Sequence, residues 1–133
     1  MLTDKIIKLA NNTKNYGLNN DFTHKVSVKN KKCGDKIIVE LVLTKGKINS
    51  MRYITESCVY CQASASLFSN KIENLNKNNL PKLDALLKKS FKEKVSFAKK
   101  YSFLKQLFNM ENYKRSDCIL LPLNAILKAI NKW

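Results

Sequence analysis

The feature that most restricts how this chain can fold is a change in the period of its apolar residues near position 58. From Thr23 to that point the period is two. Val26 and Val28 alternate with Lys25, Ser27 and Lys29; Ile37, Val39, Leu41 and Leu43 share one face of a longer run; and Met51, Tyr53 and Thr55 share one face of the stretch that opens at Ile48. Alternation of this kind is that of half-buried strands. The breaks between them, Lys31-Lys32-Cys33-Gly34 and Lys45-Gly46, are short, which implies an antiparallel meander. After that point the period is three to four. Tyr60, Ala63, Ser64, Leu67, Phe68 and Ile72 form one helical set, and Leu83, Leu86 and Leu87 a second. Phe97, Tyr101, Leu104 and Phe108 form a third, and Ile119, Leu123, Ile126, Leu127 and Ile130 a fourth. Asn74–Asn79 and Asn109–Ser116 are polar breaks between them. A short helical face at Leu2, Ile6 and Leu9 and a polar loop over Asn11–Asn20 precede the strands. Strands followed by helices predict an α+β fold, a three-stranded antiparallel sheet with helices packed on one face.

The 133 residues suit one domain, 1–133, with no repeat or Pro/Ser-rich linker to divide it. No apolar run approaches the ~20 residues of a membrane span. The opening MLTDKIIKLANN has no long apolar region or small-residue cleavage site, so a cytoplasmic address is expected. There, four cysteines read as reduced thiols or metal ligands rather than disulfides. The net charge of +15 suggests an anionic partner. Yet 23 of the 25 basic residues are Lys, and only Arg52 and Arg115 carry the bidentate fork that specific phosphate and base contacts favour. The lysines are spread along the chain and read as a solvated surface, not a nucleic-acid stripe. No GxxxxGKS or GxGxxG supports nucleotide binding. A single His, with no Ser/His/Asp or Cys/His constellation, gives hydrolase chemistry no footing.

The cysteines fall at element ends. Cys33 lies in the turn entering the second strand, and Cys58 where the third strand gives way to helix. In an antiparallel hairpin the start of one strand and the end of its partner share an edge. Cys33 and Cys58 are therefore expected to be neighbours across 24 intervening residues. Gly34 permits a turn closed to other residues, so Cys33 and Asp35 can converge on one point. Cys61 follows Cys58 at i+3, on the same face if the helix has already begun. Cys118 follows Ser116 and Asp117, both suited to cap the last helix, and Pro122 supports a start nearby because Pro is tolerated in a first turn. A helix N-terminus would lower the pKa of a thiol at 58 or 118. Free Cys often does no more than fill a core, but four near three element ends point to metal or thiol chemistry. Cys58 and Cys61 lack the second CxxC of a zinc ribbon, and His24, at a strand start, reads as an exposed strand residue rather than a ligand.

Three stretches together resemble the IscU/SufU/NifU N-terminal family of iron–sulfur scaffolds. Cys33-Gly34-Asp35 is similar to its CGD motif. Cys58-Val59-Tyr60-Cys61-Gln62-Ala63-Ser64-Ala65-Ser66 is similar to its Cys followed by small residues on a helix. Arg115-Ser116-Asp117-Cys118 with the apolar run after it resembles its third motif. The resemblance implies a three-stranded sheet with helices packed on it. It also implies that Cys33, Cys58 and Cys118 are thiolate ligands, with Asp35 as a fourth ligand or the group that makes the site labile. By the same resemblance the chain would accept sulfur as persulfide from a cysteine desulfurase. It would then assemble a transient [2Fe–2S] cluster and pass it to recipient apo-proteins, and Zn²⁺ would bind at the same residues. Soft thiolates select Fe–S and Zn in any case. Persulfide exchange needs an accessible, low-pKa thiol, for which Cys118 beside Arg115 is the candidate acceptor.

This chain departs from the pattern in places. Asp117 stands where IscU-type members carry His, no LPPVK-like segment is present, and the long stretch before Cys118 is closer to SufU. Cys61 stands where most members have a small residue, as a fourth ligand, a resolving thiol or an incidental substitution. The leading reading is a scaffold or sulfur acceptor rather than an enzyme. Its rivals are a structural zinc module that binds nucleic acid through its lysines, and a redox protein that uses Cys58 and Cys61 as a dithiol.

Overall fold

A computed structural model of the protein describes residues 2–131. Helix α1 (Asp4–Asn11) leads into strands β1 (His24–Lys29), β2 (Lys36–Thr44) and β3 (Lys47–Glu56), then helices α2 (Val59–Asn70), α3 (Leu80–Ser90) and α4 (Ser116–Asn131). The strands form one antiparallel sheet in the order β1-β2-β3, as the short connections require. Ile37, Val39 and Leu41 of the central strand are fully buried on the face that meets the helices.

The regular alternation fails once. The register slips between Val42 and Leu43, so that Ser50 and Ile48 face successive β2 residues and Asn49 is the extra one. Such a bulge turns Ile48 and Met51, three apart, toward the same buried side.

Helix α2 is buried almost all round, from Tyr60 to Ser69. Its run of Ala and Ser lets neighbours approach closely: Ser64 Oγ donates to the Ile119 carbonyl of α4 at 2.6 Å, and Ser66 Oγ to the Asn12 carbonyl just after α1 at 3.2 Å. The helices thus lie on one face of the sheet, with α2 held between α1 and α4.

The other face is crossed by the loop between α1 and β1. Glu40, in mid-strand and 1% exposed, accepts the N–H groups of Asn19 and Asn20 at 2.9 and 3.2 Å and pairs with Lys25 at 3.5 Å. Arg52 donates to the carbonyls of Gly17 and Tyr16 at 2.9 and 2.8 Å. The Gly17 N–H donates to the Tyr53 carbonyl at 2.7 Å, so this loop also covers the free edge of β3.

Three expectations need correction. The stretch 97–108 is not an α-helix: it is a 3₁₀ helix, Lys99–Leu104, continued by turns. Tyr101, Leu104 and Leu107 recur at three, the 3₁₀ repeat, and Leu104 and Leu107 are fully buried. Nor is 109–116 a break, because another 3₁₀ helix, Met110–Arg115, runs directly into α4. His24 is half-buried rather than exposed, its Nδ1 2.7 Å from Thr23 Oγ1. No helix among the described residues is long and apolar enough to cross a membrane.

Candidate metal centre

Cys33, Asp35 and Cys118 meet at the end of the sheet where β1 ends, β2 begins and β3 ends; Lys36 pairs with both Lys29 and Glu56 there. The turn from β1 to β2 is tightly bonded. Asn30 N–H donates to the Asp35 carbonyl at 2.7 Å, Gly34 N–H to the Asn30 carbonyl at 2.8 Å, and Lys32 N–H to Asn30 Oδ1 at 2.9 Å. Gly34 has φ +76°, and a Cβ there would meet nothing within 4 Å, so the backbone angle alone reserves the position for glycine. This turn leaves Cys33 exposed and tucks Asp35 in to 6% exposure.

Cys118 reaches the same point from the first turn of α4. Its Sγ lies 3.7 Å from that of Cys33, and one donor atom each from Cys33, Asp35 and Cys118 all fall within 4.8 Å of one another. Two sulfurs bound at ~2.3 Å to a tetrahedral ion stand about 3.8 Å apart. The spacing therefore suits a thiophilic metal. The Asp35 carboxylate points the same way: its Oδ2 is buried and has no hydrogen-bond partner among the described residues. A buried acceptor left unpaired costs about 1–3 kcal/mol, more when it is charged, and a bound cation would offset that cost.

Cys58 stands beside this group rather than inside it. It is the N-cap of α2, half-buried, two residues beyond the Glu56–Lys36 pair, and close enough to Cys118 to influence its ionisation. Cys61 is fully buried, with its sulfur 4.0 Å from Thr55 Oγ1. Burial pushes the Cys61 thiol up to about 12, against the weaker opposing effect of hydrogen bonds from Ser57 and Thr55. Arg115 is exposed, and its guanidinium carbon lies 5.6 Å from the centre of the Tyr60 ring, a cation–π contact between the segment before α4 and the first turn of α2. Asp117 is exposed and faces Lys32 at 3.6 Å.

The expectation of a lowered Cys118 pKa is overturned. Burial first, and then contacts with Asp35, Cys58 and Cys33, raise it well above that of an ordinary thiol. Loss of water around the sulfur is the larger of these causes, and together they outweigh the helix terminus. A metal taking this site must displace the proton. Pro122 is also placed differently from expectation, seven residues into α4 and buried. Sequence reasoning assigned no role to Ser64, although the small-residue run on α2 was the visible sign that α4 would approach closely there. A cavity of ≈ 490 Å³ lined by Ser90, Phe97, Phe108 and Met110, among others, includes none of the cysteines.

The chain is 28% identical over 138 residues to the iron–sulfur cluster assembly scaffold protein IscU of Thermotoga maritima, covering 99% of this chain and 94% of that protein. Its fold is similar to the crystal structure of the N-terminal part of a nitrogen-fixing NifU-like protein from Brucella abortus. There the TM-score is 0.86 at 20% identity, covering 98% of this chain and 92% of that one. It is equally similar, at TM-score 0.86 and 19% identity, to a putative iron–sulfur cluster assembly scaffold protein for the SUF system from Fervidobacterium islandicum AW-1, covering 97% and 96% of the two chains. A family model described as the NifU-like N terminal domain matches residues 1–133. The chain belongs to the NifU-like N-terminal domain family.

Proposed function

We propose that this chain, acting as one unit over 1–133, is a scaffold on which an iron–sulfur cluster is assembled as cargo and then released to recipient apo-proteins. Cys33, Asp35, Cys58 and Cys118 are the residues proposed to hold it. The observation that carries the reading is the buried, unpartnered oxygen of Asp35 beside two thiols 3.7 Å apart. Thiolates suit Fe–S and zinc, and a single carboxylate ligand binds such metals less tightly than a fourth sulfur. That balance fits a transient [2Fe–2S] cluster, with Zn²⁺ as the alternative occupant.

Sulfur would arrive as persulfide from a cysteine desulfurase, in a cytosolic setting where thiols stay reduced. Cys118 is the proposed acceptor. Because it is buried and held protonated, it must reach a more open position to react.

Anaerobic reconstitution with ferrous iron and sulfide tests the reading. Wild type is expected to gain a visible charge-transfer absorption with bound iron and sulfide, and Cys33→Ser and Cys118→Ser to lose it. Wild type that takes up no cluster, but unfolds when zinc is chelated and binds nucleic acid with a steep salt dependence, would instead be a structural zinc module. A metal-free Cys58–Cys61 disulfide with a defined potential would make it a redox protein.

A further inference from the structure

The helix that carries Cys118 has a proline at the position whose N–H would otherwise bond that residue's carbonyl. In an α-helix the N–H of residue i donates to the carbonyl of residue i−4. Pro122 has no N–H to give, so the carbonyl it leaves without its i+4 donor is that of Cys118. The proline ring crowds that same carbonyl. Upstream, α4 continues from the 3₁₀ helix Met110–Arg115, joined to it by an i+3 bond from Ser116 N–H to the Tyr113 carbonyl. Such bonds have poorer geometry than α-helical ones. The turn bearing Cys118 is therefore loosely tied into its own helix. It is held down by core packing of Ile119 and Leu121, both buried, and by contacts from other elements: Ser64 Oγ on the Ile119 carbonyl at 2.6 Å, Arg115 over Tyr60, and the exposed Lys32–Asp117 pair.

We propose that Pro122 is a positioning residue for Cys118. It uncouples the first turn of α4 from the rest of the helix, so that Cys118 exchanges between the closed cluster with Cys33 and Asp35 and an open, accessible position. Ser64 is the latch of the closed form. The use of this motion rests on the reading of Cys118 as a thiol that takes up sulfur or metal; the motion itself does not. It supplies what the closed geometry lacks, since a thiol at 6% exposure is out of reach of a partner's sulfur.

The test is alkylation of the metal-free, reduced full-length protein by iodoacetamide, with rates at each cysteine resolved by peptide mass spectrometry. Cys33, already exposed, reports intrinsic reactivity, and fully buried Cys61 reports large-scale opening. Pro122→Ala restores the missing N–H and is expected to slow Cys118 labelling about fivefold relative to Cys61, the factor for one backbone hydrogen bond of about 1 kcal/mol. Cys33 should not change. Ser64→Ala removes the latch while leaving Pro122 in place, and is expected to speed Cys118 labelling about fivefold on the same scale. Both ratios should hold at two pH values, which separates opening from a change in ionisation. An unchanged Cys118-to-Cys61 ratio in either variant would overturn the proposal. A chain that fails to assemble a cluster yet shows these ratios would refute the scaffold reading and leave the motion standing.

Discussion

Cys118 and Cys61 sit on neighbouring helices, and both thiols are shut away from solvent, at 6% and 0% exposure. Burial raises the pKa of each. Their company differs. Cys118 shares a point with Cys33 and Asp35, while the nearest partners of Cys61 are the hydroxyls of Thr55, at 4.0 Å, and Ser57, with Asp35 and Cys58 acting on it only through their charge. A cation placed at the first point would gain several ligand atoms together: two thiols 3.7 Å apart and a carboxylate oxygen with no partner among the described residues. At Cys61 it would have to repay the desolvation of a single sulfur. Burial alone makes a thiol inert, whereas burial among other donors makes a ligand.

The largest effect that can break this contrast is on metal affinity. Cys118→Ser is expected to weaken Zn²⁺ binding on the order of 100-fold or more, since even residues behind the ligands of a metal site are worth about 10–100-fold. Cys61→Ser should stay within about threefold, as expected for a thiol that does not bind the metal. Competition with a chromophoric chelator measures both. Equal losses in the two variants would make Cys61 a ligand.

Next in size is the pH dependence of stability. The Cys61 pKa rises from 9.0 to about 12 on folding, so above pH 9 the native state keeps a proton that the unfolded state has lost. The contribution is fully present below pH 9 and fades as pH climbs toward 12, at a limiting slope of about 1.4 kcal/mol per pH unit. Urea unfolding of reduced protein should show a shallower alkaline decline in Cys61→Ala than in wild type. Parallel declines would mean that this thiol is not the buried, protonated group described. Smaller again is Asp35→Ala. Deleting a buried acceptor with an unpaired oxygen is expected to stabilise the metal-free protein by about 1 kcal/mol. A loss of stability there would show that the carboxylate is already satisfied without metal.

The sequence made the sheet legible because Ile37, Val39 and Leu41 obey the period of a half-buried strand, and Gly34 marked a turn that needs positive φ. Cys33, Asp35 and Cys118 could be read as near element ends because strand pairing and helix starts are local signals. What escaped was long-range or depended on direction. The bulge at Asn49 interrupts the alternation, and the burial of Glu40 depends on a loop twenty residues away in sequence. The i+3 spacing of Cys58 and Cys61 promised a shared face, but Cys58 is the N-cap, its backbone extended at ψ 168°, so helical geometry does not govern where it points. The helix-terminus argument for a low Cys118 pKa failed because it left out desolvation, which only the packed structure reveals.

The smallest expected effect concerns Asp117, beside Cys118 in sequence. Its carboxylate pairs with Lys32 at 3.6 Å, linking α4 to the β1–β2 turn, but the side chains are 56% and 84% exposed. Water and salt screen such a pair, and exposed ion pairs of this kind contribute about 0–1 kcal/mol. Asp117→Asn is therefore expected to change unfolding free energy by less than about 0.5 kcal/mol, and to leave zinc affinity within about twofold. The measurement has force because Asp117 is the nearest acid in sequence to Cys118, while Asp35 lies far away along the chain. If Asp117→Asn weakened metal binding as much as Cys118→Ser, an exposed carboxylate would be holding the metal. The contrast between a thiol in company and a thiol alone would then no longer explain where this protein binds.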